Sequence, residues 1–302
     1  MSARTKKYSP LFVLMAPGLL YLLINNYIPI FGLSIAFKKV NFKLGLWGSP
    51  WVGFDNFKFL FQGTDAFIIT RNTILYNLAF ILINIVLGVA FAIFISDMKR
   101  KQAKQLYQSA VLLPHLMSIV IISYIVYALL DPDKGMMNNS ILPALGMKTV
   151  PWYTEPRHWP LILIVVNTWK SIGYGCLVYA ACISGIDPSY YEAATLDGAS
   201  KWQQIRYVTL PCLKQTVISL ALLSIGRIFY SDFGLFYQVP MHSGPLFDVT
   251  NTVDTYVYRG LLTLGNVGMA SAAGFYQSVV GFVFIILCNL LVRKMDSDSA
   301  IF

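Results

Sequence analysis

Apolar residues dominate six long windows of this chain, and most polar residues lie between them. The windows are 10–37, 72–96, 106–130, 160–185, 213–232 and 272–292. A helix needs about 20 mostly apolar residues to cross the hydrocarbon core of a bilayer. Window 72–96 contains no charged residue in 25 positions, and window 272–292 contains none in 21. The pattern therefore predicts an all-α integral membrane protein with six transmembrane helices.

The composition supports a bilayer as the surrounding solvent. Of 302 residues, 56% are hydrophobic and 12% are charged, and the mean hydropathy is +0.60, whereas soluble domains carry about 25% charged residues. The net charge of +9 would suit a nucleic-acid-binding protein. Membrane proteins, however, concentrate Lys and Arg in cytoplasmic loops, so no nucleic acid is expected as a partner. The four cysteines have neither CxxC spacing nor His partners, so we predict no disulfide framework and no metal site.

The distribution of basic residues predicts the orientation of the chain. If the N-terminus is inside, the inner segments are 1–9, 97–105, 186–212 and 293–302, and the outer connections are 38–71, 131–159 and 233–271. Lys and Arg are denser in the inner set, which predicts that both termini are cytoplasmic. The first window is longer than the apolar part of a signal peptide and ends without a small-residue cleavage pattern. We expect it to be retained as an additional N-terminal helix.

The inner segment 187–211 predicts two short helices at the cytoplasmic face of the membrane. Pro188 and Ser189 are expected to begin the first helix, with Ser189 and Glu192 forming a capping box. Gly198 would allow a turn into the second helix, and Pro211 would end that helix before the fifth span. Four small residues leave little side-chain bulk on this segment, so a groove of another protein can approach its backbone closely. These are Ala193, Ala194, Gly198 and Ala199.

The same segment resembles the EAA loop of binding-protein-dependent ABC importer permeases. The match consists of Glu192-Ala-Ala, Gly198 and Val208-Thr-Leu210-Pro211 at the family spacing, with Val208 where the pattern usually has Ile. The resemblance implies a type I ABC importer permease fold whose EAA loop docks in a cleft of an ATPase subunit. Glu192 and Asp197 would hold this coupling helix in the cleft.

Other stretches resemble the maltose-type carbohydrate permeases of that family. They are Ala16-Pro-Gly-Leu-Leu-Tyr21, Val166-Asn-Thr-Trp169 and Ser243-Gly-Pro245. Two further stretches, 26–32 and 48–57, look more like the branch that imports polysaccharide fragments and uronate-bearing oligosaccharides. The resemblance implies one permease domain over 1–302, with a core at 72–292 and the helix at 10–37 added to it.

The resemblance also implies the partners of the chain. They are a second, similar permease that completes a heterodimer, an ABC ATPase dimer, an extracytoplasmic sugar-binding protein, an oligosaccharide substrate and the lipid bilayer. The sequence contains no GxxxxGK[ST] motif, so ATP and Mg would be bound by the ATPase subunits and no cofactor by this chain. No nucleophile–base arrangement is recognisable. We therefore expect a non-enzymatic subunit with no catalytic residues.

Polar residues within apolar spans are candidates for a substrate pathway, because they are costly unless they face a polar interior. In the fourth span, Asn167, Lys170, Ser171 and Tyr174 are spaced to share one helical face. In the fifth, Ser224, Arg227 and Ser231 repeat every three or four residues and are followed by Asp232. The maltose-type resemblance places sugar contacts on the same two helices, which adds Ile228 to the candidates.

Lys170 and Arg227 depart from the pattern of the neutral-sugar permeases. We hypothesise that they bind carboxylates of an acidic, uronate-containing oligosaccharide, while Tyr174 and Tyr230 pack against its sugar rings. In the alternative, Arg227 pairs with Asp232 or with a carboxylate of the partner permease and has a structural role. Two other functions stay open on the sequence: an ion-coupled secondary transporter, and an ABC importer subunit for a neutral sugar or another small solute.

Overall fold

The computed structural model of the protein describes residues 3–295, except for the side chains of 3–10, 61, 291 and 295. The predicted inner segment 293–302 therefore lies mostly outside the described residues. Eleven helices are labelled α1 Ala3–Leu22, α2 Asp65–Ser96, α3 Lys101–Leu116, α4 Ile119–Leu130, α5 Trp159–Ser184, α6 Pro188–Leu196, α7 Lys201–Gln204, α8 Leu210–Ile225, α9 Phe233–Gln238, α10 Val253–Leu262 and α11 Val267–Met295. Within the described part of the chain no strand forms. A single antiparallel bridge joins Lys38 and Trp51.

Short helical pieces fill the connections. The 3-10 pieces are Ile28–Phe37, Asp55–Phe57, Pro156–His158 and Gly244–Leu246, and the π-helical pieces are Leu23–Tyr27, Met137–Ile141 and Ile205–Thr209. Short α-helical turns occupy Gly45–Gly48, Phe59–Gln62, Leu142–Ala144 and Phe247–Thr250. Among the described residues, five helical stretches are long and apolar enough to cross a membrane, namely Leu11–Phe37, Asp65–Ser96, Pro156–Ser184, Lys201–Ile225 and Val267–Lys294. They correspond to five of the six predicted spans.

The third predicted span, 106–130, is not one straight helix. It consists of α3 and α4, which meet at an angle of 95° and together would supply the sixth crossing. The break lies at Met117 and Ser118, whose backbones are extended. Pro114 lacks the N–H that an uninterrupted helix requires, and the Ser118 hydroxyl accepts the Val120 N–H at 3.3 Å as the cap of α4. Hydrophobicity alone does not distinguish such a break from a continuous span.

The fifth predicted span, 213–232, also differs from the structure. Its helix begins earlier, because α7, the π-helical piece Ile205–Thr209 and α8 follow one another without a gap. It ends earlier as well, at Ile225, and the next residues form tight turns before α9. The expectation that Ser224, Arg227 and Ser231 share one helical face is therefore wrong. Only Ser224 lies on a helix.

The chain divides into two compact units. One comprises the residues up to Gly63 together with Val257–Tyr276, and the other comprises Thr64–Tyr256 and the residues from Gln277 onward. In the first unit, Ala36, Phe57 and Ala272 are buried together. Nearby, Asn56 donates hydrogen bonds to the carbonyls of Ala36 and Lys38, both at 2.9 Å. The aromatic and amide contacts give this unit its own small core.

The second unit contains the larger cores. Most of the first core is aromatic and branched aliphatic and lies around α2, α4, α5 and α9; its fully or nearly fully buried members include Ile122, Trp159, Leu163, Leu235 and Phe236. A second cluster joins α2 to α5 through Ala92, Ile95, Cys176, Tyr179 and Ala180. A glycine also allows α5 to approach α3 closely: a Cβ added to Gly173 would lie 2.2 Å from the Val111 carbonyl oxygen of α3. The packing of α5 against α2 and α3 thus holds the predicted substrate residues of α5 in place.

Candidate substrate pathway and coupling loop

The predicted polar face of α5 is present, but its members have different surroundings. Asn167 is buried and accepts a hydrogen bond from the Asn84 amide of α2 at 3.2 Å. Lys170 and Ser171 are half-buried, and Tyr174 is exposed. The Tyr174 ring stacks on His115 of α3, with ring centroids 5.4 Å apart. The exposed end of this face therefore offers a cation and a pair of stacked rings, whereas Asn167 links two helices.

Lys170 makes the clearest charge contact at this end of the molecule. Its ammonium lies 3.5 Å from Asp232 Oδ2, and the Lys170 and Asp232 side chains are 21% and 41% exposed. Asp232 Oδ1 also accepts the Leu235 N–H at 3.1 Å and so caps α9. The alternative in which Arg227 pairs with Asp232 is not what the structure has. Arg227 is exposed and forms no ion pair with any residue of the described part of the chain.

The segment between α8 and α9 presents some predicted residues and hides others. Arg227 and Tyr230 are exposed, whereas Ile228 is buried, with 4% of its surface accessible. The Ser231 hydroxyl donates to Asp254 Oδ2 at 2.8 Å and contacts the Thr252 hydroxyl at 2.7 Å. Ser224 donates to the Leu220 carbonyl of its own helix at 2.8 Å. The exposed pair Arg227 and Tyr230, rather than a helical face, is what this segment offers to a solute.

Three side chains that are distant in sequence hold this segment in its non-helical path. Asn77 of α2 donates to the carbonyls of Ile228 and Tyr230 at 2.9 and 3.2 Å. Gln277 of α11 donates to the Phe229 carbonyl at 2.6 Å, and Asp254 of α10 accepts the Ser231 N–H at 2.7 Å. A break in a membrane helix leaves backbone N–H and C=O groups without their helical partners. In lipid each such group costs on the order of several kcal/mol unless it finds another hydrogen-bond partner.

Sequence reasoning missed Asn77 and Asp254 as partners of this segment. The signal for Asn77 was available: it is an amide inside the uncharged window 72–96. Asp254 lies in an outer connection among polar residues, where nothing in the local sequence distinguishes it. Only the folded chain brings it to Ser231 and to the Gln277 amide, which lies 3.2 Å from both of its carboxylate oxygens.

The predicted coupling loop consists of α6, a tight turn and α7. The N-cap of α6 is Asp187, whose Oδ1 accepts the Ser189 N–H at 2.9 Å. The predicted capping box of Ser189 and Glu192 is therefore wrong, because Pro188 takes the first helical position and Ser189 the second. The hydrogen bond from the Ser189 backbone lowers the pKa of Asp187 below its ordinary value of 3.8. The cap is thus ionised at neutral pH and is lost only when the pH falls through that lowered pKa.

The turn after α6 depends on Gly198, as predicted. Its φ of +77° lies in the left-handed region, and no atom lies within 4 Å of the position a Cβ would take. The capping box belongs instead to α7: the Ser200 N–H donates to Gln203 Oε1 at 2.7 Å, and the Gln203 N–H donates to Ser200 Oγ at 3.4 Å. The buried Gln204 then ties α7 to Thr195 of α6 at 3.0 Å.

Pro211 does not end the second short helix. It occupies the second position of α8, and the chain passes from α7 into α8 through the π-helical piece Ile205–Thr209, which closes with the Leu210 N–H on the Ile205 carbonyl. The wider turn accommodates the missing proline N–H without a break. Tyr191 and Thr209 join α6 to this piece through their hydroxyls, 2.9 Å apart. The loop is therefore continuous with the fifth span rather than separated from it.

The predicted coupling loop presents two carboxylates, two small residues and one large apolar side chain on its surface. Glu192, Ala193, Asp197 and Gly198 are exposed, and Leu196 is 88% exposed. Beside it lies a cavity of about 1090 Å³, whose lining includes Glu192, Ala199 and the ends of α2 and α5. Lys201 pairs with Asp97 at the end of α2 at 2.8 Å. The structure thus joins the predicted loop residues to one another and to the ends of two spans.

Comparison with known proteins gives the geometry its context. Residues 71–297 match the family described as binding-protein-dependent transport system inner membrane component. Protein LplB of Bacillus subtilis (strain 168) is 32% identical over 98% of this chain and 92% of its own length. From the same organism, the polygalacturonan/rhamnogalacturonan transport system permease protein YteP is 30% identical over 96% of this chain and 89% of its own length.

Solved structures show the same fold. A chain from the crystal structure of a bacterial ABC transporter involved in import of the acidic polysaccharide alginate is similar with a TM-score of 0.88 and 31% identity, covering 97% of this chain and 98% of that one. A second structure, of a bacterial alginate ABC transporter in complex with a periplasmic protein bound to an alginate pentasaccharide, gives a TM-score of 0.86, with 30% identity over 97% of this chain and 96% of that one. Together with the family match, these likenesses establish that the chain is a multi-pass membrane protein of the binding-protein-dependent transport system inner membrane component family.

Proposed function

We propose that this chain is the permease subunit through which an ATP-driven importer takes up acidic, uronate-containing oligosaccharides. The observation that supports the substrate most directly is Arg227, an exposed guanidinium on a rigidly bonded segment, with no carboxylate partner among the described residues. Arg binds carboxylates through two parallel hydrogen bonds. Lys170 adds a second cation, and Tyr174 and Tyr230 add exposed rings of the kind that pack against sugars.

The relatives favour the same substrate class. YteP is described as a transporter of polygalacturonan and rhamnogalacturonan, and the similar solved structures belong to alginate importers. Alginate is named there as an acidic polysaccharide. A neutral sugar would leave Arg227 without a carboxylate partner among the described residues. An ion-coupled secondary transporter does not fit a family whose members depend on a binding protein.

The proposed machinery includes partners and an orientation. The whole chain would act as one permease domain, with cytoplasmic termini, beside a second and similar permease. A sugar-binding protein would deliver the oligosaccharide from outside. On the inner side, an ABC ATPase dimer would bind ATP and Mg and would contact the coupling loop. The exposed Ala193 of α6 and the turn at Gly198 support the docking of that loop in a cleft.

The substrate is tested by removing both cations. Lys170→Gln/Arg227→Gln should lower uptake of trigalacturonate at least about tenfold, since a hydrogen bond to a charged group contributes about 1.5–3 kcal/mol. Uptake of the carboxyl-reduced trisaccharide should change much less. The assay is uptake into proteoliposomes that contain the complete importer and its sugar-binding protein. Lys134→Gln/Arg157→Gln, which removes two exposed cations of the outer connections, is the matched control. Equal loss for both sugars would contradict the acidic substrate.

A further inference from the structure

The ion pair between Lys170 and Asp232 is the loosest in the described part of the chain. Its N–O distance is 3.5 Å, compared with 2.8 Å for Lys201–Asp97 and 3.0 Å for Lys58–Asp55. Both partners remain partly accessible, at 21% and 41%. A pair with this geometry holds its partners weakly and leaves them open to another ion.

The two oxygens of Asp232 have separate tasks. Oδ1 accepts the Leu235 N–H and caps α9, while Oδ2 faces the Lys170 ammonium. A cap needs an acceptor but no charge, and Asn or Ser serves equally well. The cap hydrogen bond holds Asp232 at the start of α9 when Lys170 moves away. Lys170 can move by itself because its side chain is flexible. Among the described residues, the ion pair that the negative charge at position 232 forms is with Lys170.

Asp254 shows what a structural carboxylate looks like in the same region. It accepts the Ser231 N–H at 2.7 Å, the Ser231 hydroxyl at 2.8 Å and the Gln277 amide at 3.2 Å. Its donors are neutral and come from segments that it holds together. Asp232, in contrast, joins a cap to one half-exposed cation on another helix. Asp254 thus accepts hydrogen bonds from neutral groups, whereas Asp232 faces a cation.

We propose that Asp232 is a built-in counter-ion which occupies Lys170 in the empty site and is displaced from it by a carboxylate of the incoming sugar. The inference rests on the acidic-oligosaccharide import proposed above. In the empty site Asp232 spares Lys170 the cost of an unpaired charge. A uronate carboxylate offers Lys170 the same partner, so the exchange conserves one ion pair. A neutral sugar cannot make this exchange. Asp232 therefore competes with a sugar carboxylate for Lys170, and this competition does not act on a neutral sugar.

The experiment compares the uptake ratio of trigalacturonate to its carboxyl-reduced trisaccharide in proteoliposomes with the complete importer. The sugar-binding protein is the same in every sample, so a change in the ratio reports the permease. Asp232→Asn keeps the α9 cap but removes the competing charge, and it should raise the ratio about two- to fivefold, the range expected for an exposed ion pair. In a Lys170→Met background the same substitution should leave the ratio unchanged. Asp55→Asn, in the exposed pair with Lys58, is the charge control.

The outcomes separate this inference from the proposed function. The proposed exchange is overturned if Asp232→Asn leaves the uptake ratio unchanged or lowers it. It is also overturned if Asp232→Asn raises the ratio equally in the Lys170→Met background. Asp232→Ser, which also retains a cap, decides the matter if Asp232→Asn does not assemble. Suppose that Arg227→Gln removes the preference for the acidic sugar but Asp232→Asn does not increase it. In that case the exchange is wrong and the proposed acidic substrate stands. If the wild-type ratio is near one and insensitive to Lys170 and Arg227, the acidic substrate is wrong.

Discussion

At the scale of single residues, the absence of a side chain at Gly173 determines how closely two helices approach. A Cβ at this position would lie 2.2 Å from the Val111 carbonyl oxygen and 2.8 Å from the Leu112 Cα, both of which belong to the backbone of α3. Backbone atoms cannot move aside as the end of a flexible side chain can. Gly175, two residues further along α5, has only the Tyr179 ring at 3.9 Å from its Cβ position. The two glycines therefore make opposite predictions.

Gly173→Ala should destabilise the protein, by about 1–3 kcal/mol or more, because the added methyl group forces α5 away from α3. Gly175→Ala should be neutral or slightly stabilising, since alanine favours a helix more than glycine does. Thermal unfolding of the purified importer, monitored by loss of the monodisperse complex on size-exclusion chromatography, measures both. A Gly173→Ala protein as stable as Gly175→Ala would show that the close approach of α3 and α5 is not required.

At the scale of elements, the coupling loop is rigid inside and accessible outside. Asp187, Gly198 and the Ser200–Gln203 box define its caps and its turn. Gln204 and Tyr191 bond its helices to each other and to the base of the fifth span. In the proposed docking, this loop would transmit motion as a unit, because its internal hydrogen bonds resist separate movement of its parts. Ala193 is exposed on its outer surface and has little bulk, which fits the proposed docking of an ATPase there.

Ala193→Trp should prevent the ATPase subunits from copurifying with the permease and should reduce uptake to background. The indole adds bulk to the exposed face of α6 without changing a cap or a backbone angle. Ala193→Ser has nearly the original volume and should retain both ATPase copurification and uptake. The measurement is the amount of ATPase recovered with an affinity-tagged permease. Full recovery with Ala193→Trp would locate the docking surface elsewhere.

At the scale of the whole molecule, basic residues predict an orientation that the helices alone do not determine. Five long apolar helices and one bent pair fit a membrane equally well in either direction. The denser Lys and Arg of 97–105 and 186–212 predict that those segments are cytoplasmic. In this predicted orientation the coupling loop would lie on the side where ATP is available, and Arg227, beyond the far end of α8, would lie toward the outside.

Substituted-cysteine labelling checks this topology. In a background whose four cysteines are replaced by serine or alanine, Leu264→Cys should react with a membrane-impermeant maleimide in intact cells, and Gln102→Cys should not. Both positions are exposed on the chain, so accessibility itself does not separate them. Permeabilised cells, in which both should react, are the control. Labelling of Gln102→Cys in intact cells would reverse the orientation.

Much of this molecule is determined locally, and the sequence alone was sufficient for that part. Runs such as 72–96 and 272–292 predict membrane helices because transfer from water to lipid depends on the residues themselves. The turn at Gly198 follows from the one residue type that adopts a positive φ freely. The residues of the EAA segment and their spacing also indicate the family from sequence alone. The comparisons confirm that family.

The tertiary structure decided what depends on contacts between distant residues. Periodicity extended the fifth span through Ser231, but Asn77, Gln277 and Asp254 bind its freed backbone groups and make a break possible. Arg227 was a candidate partner for Asp232, but the fold brings Lys170 there instead. A hydrophobic run requires only the solvent around it, whereas a broken helix or an ion pair requires a partner at the right distance. Such a partner exists only after the helices have packed.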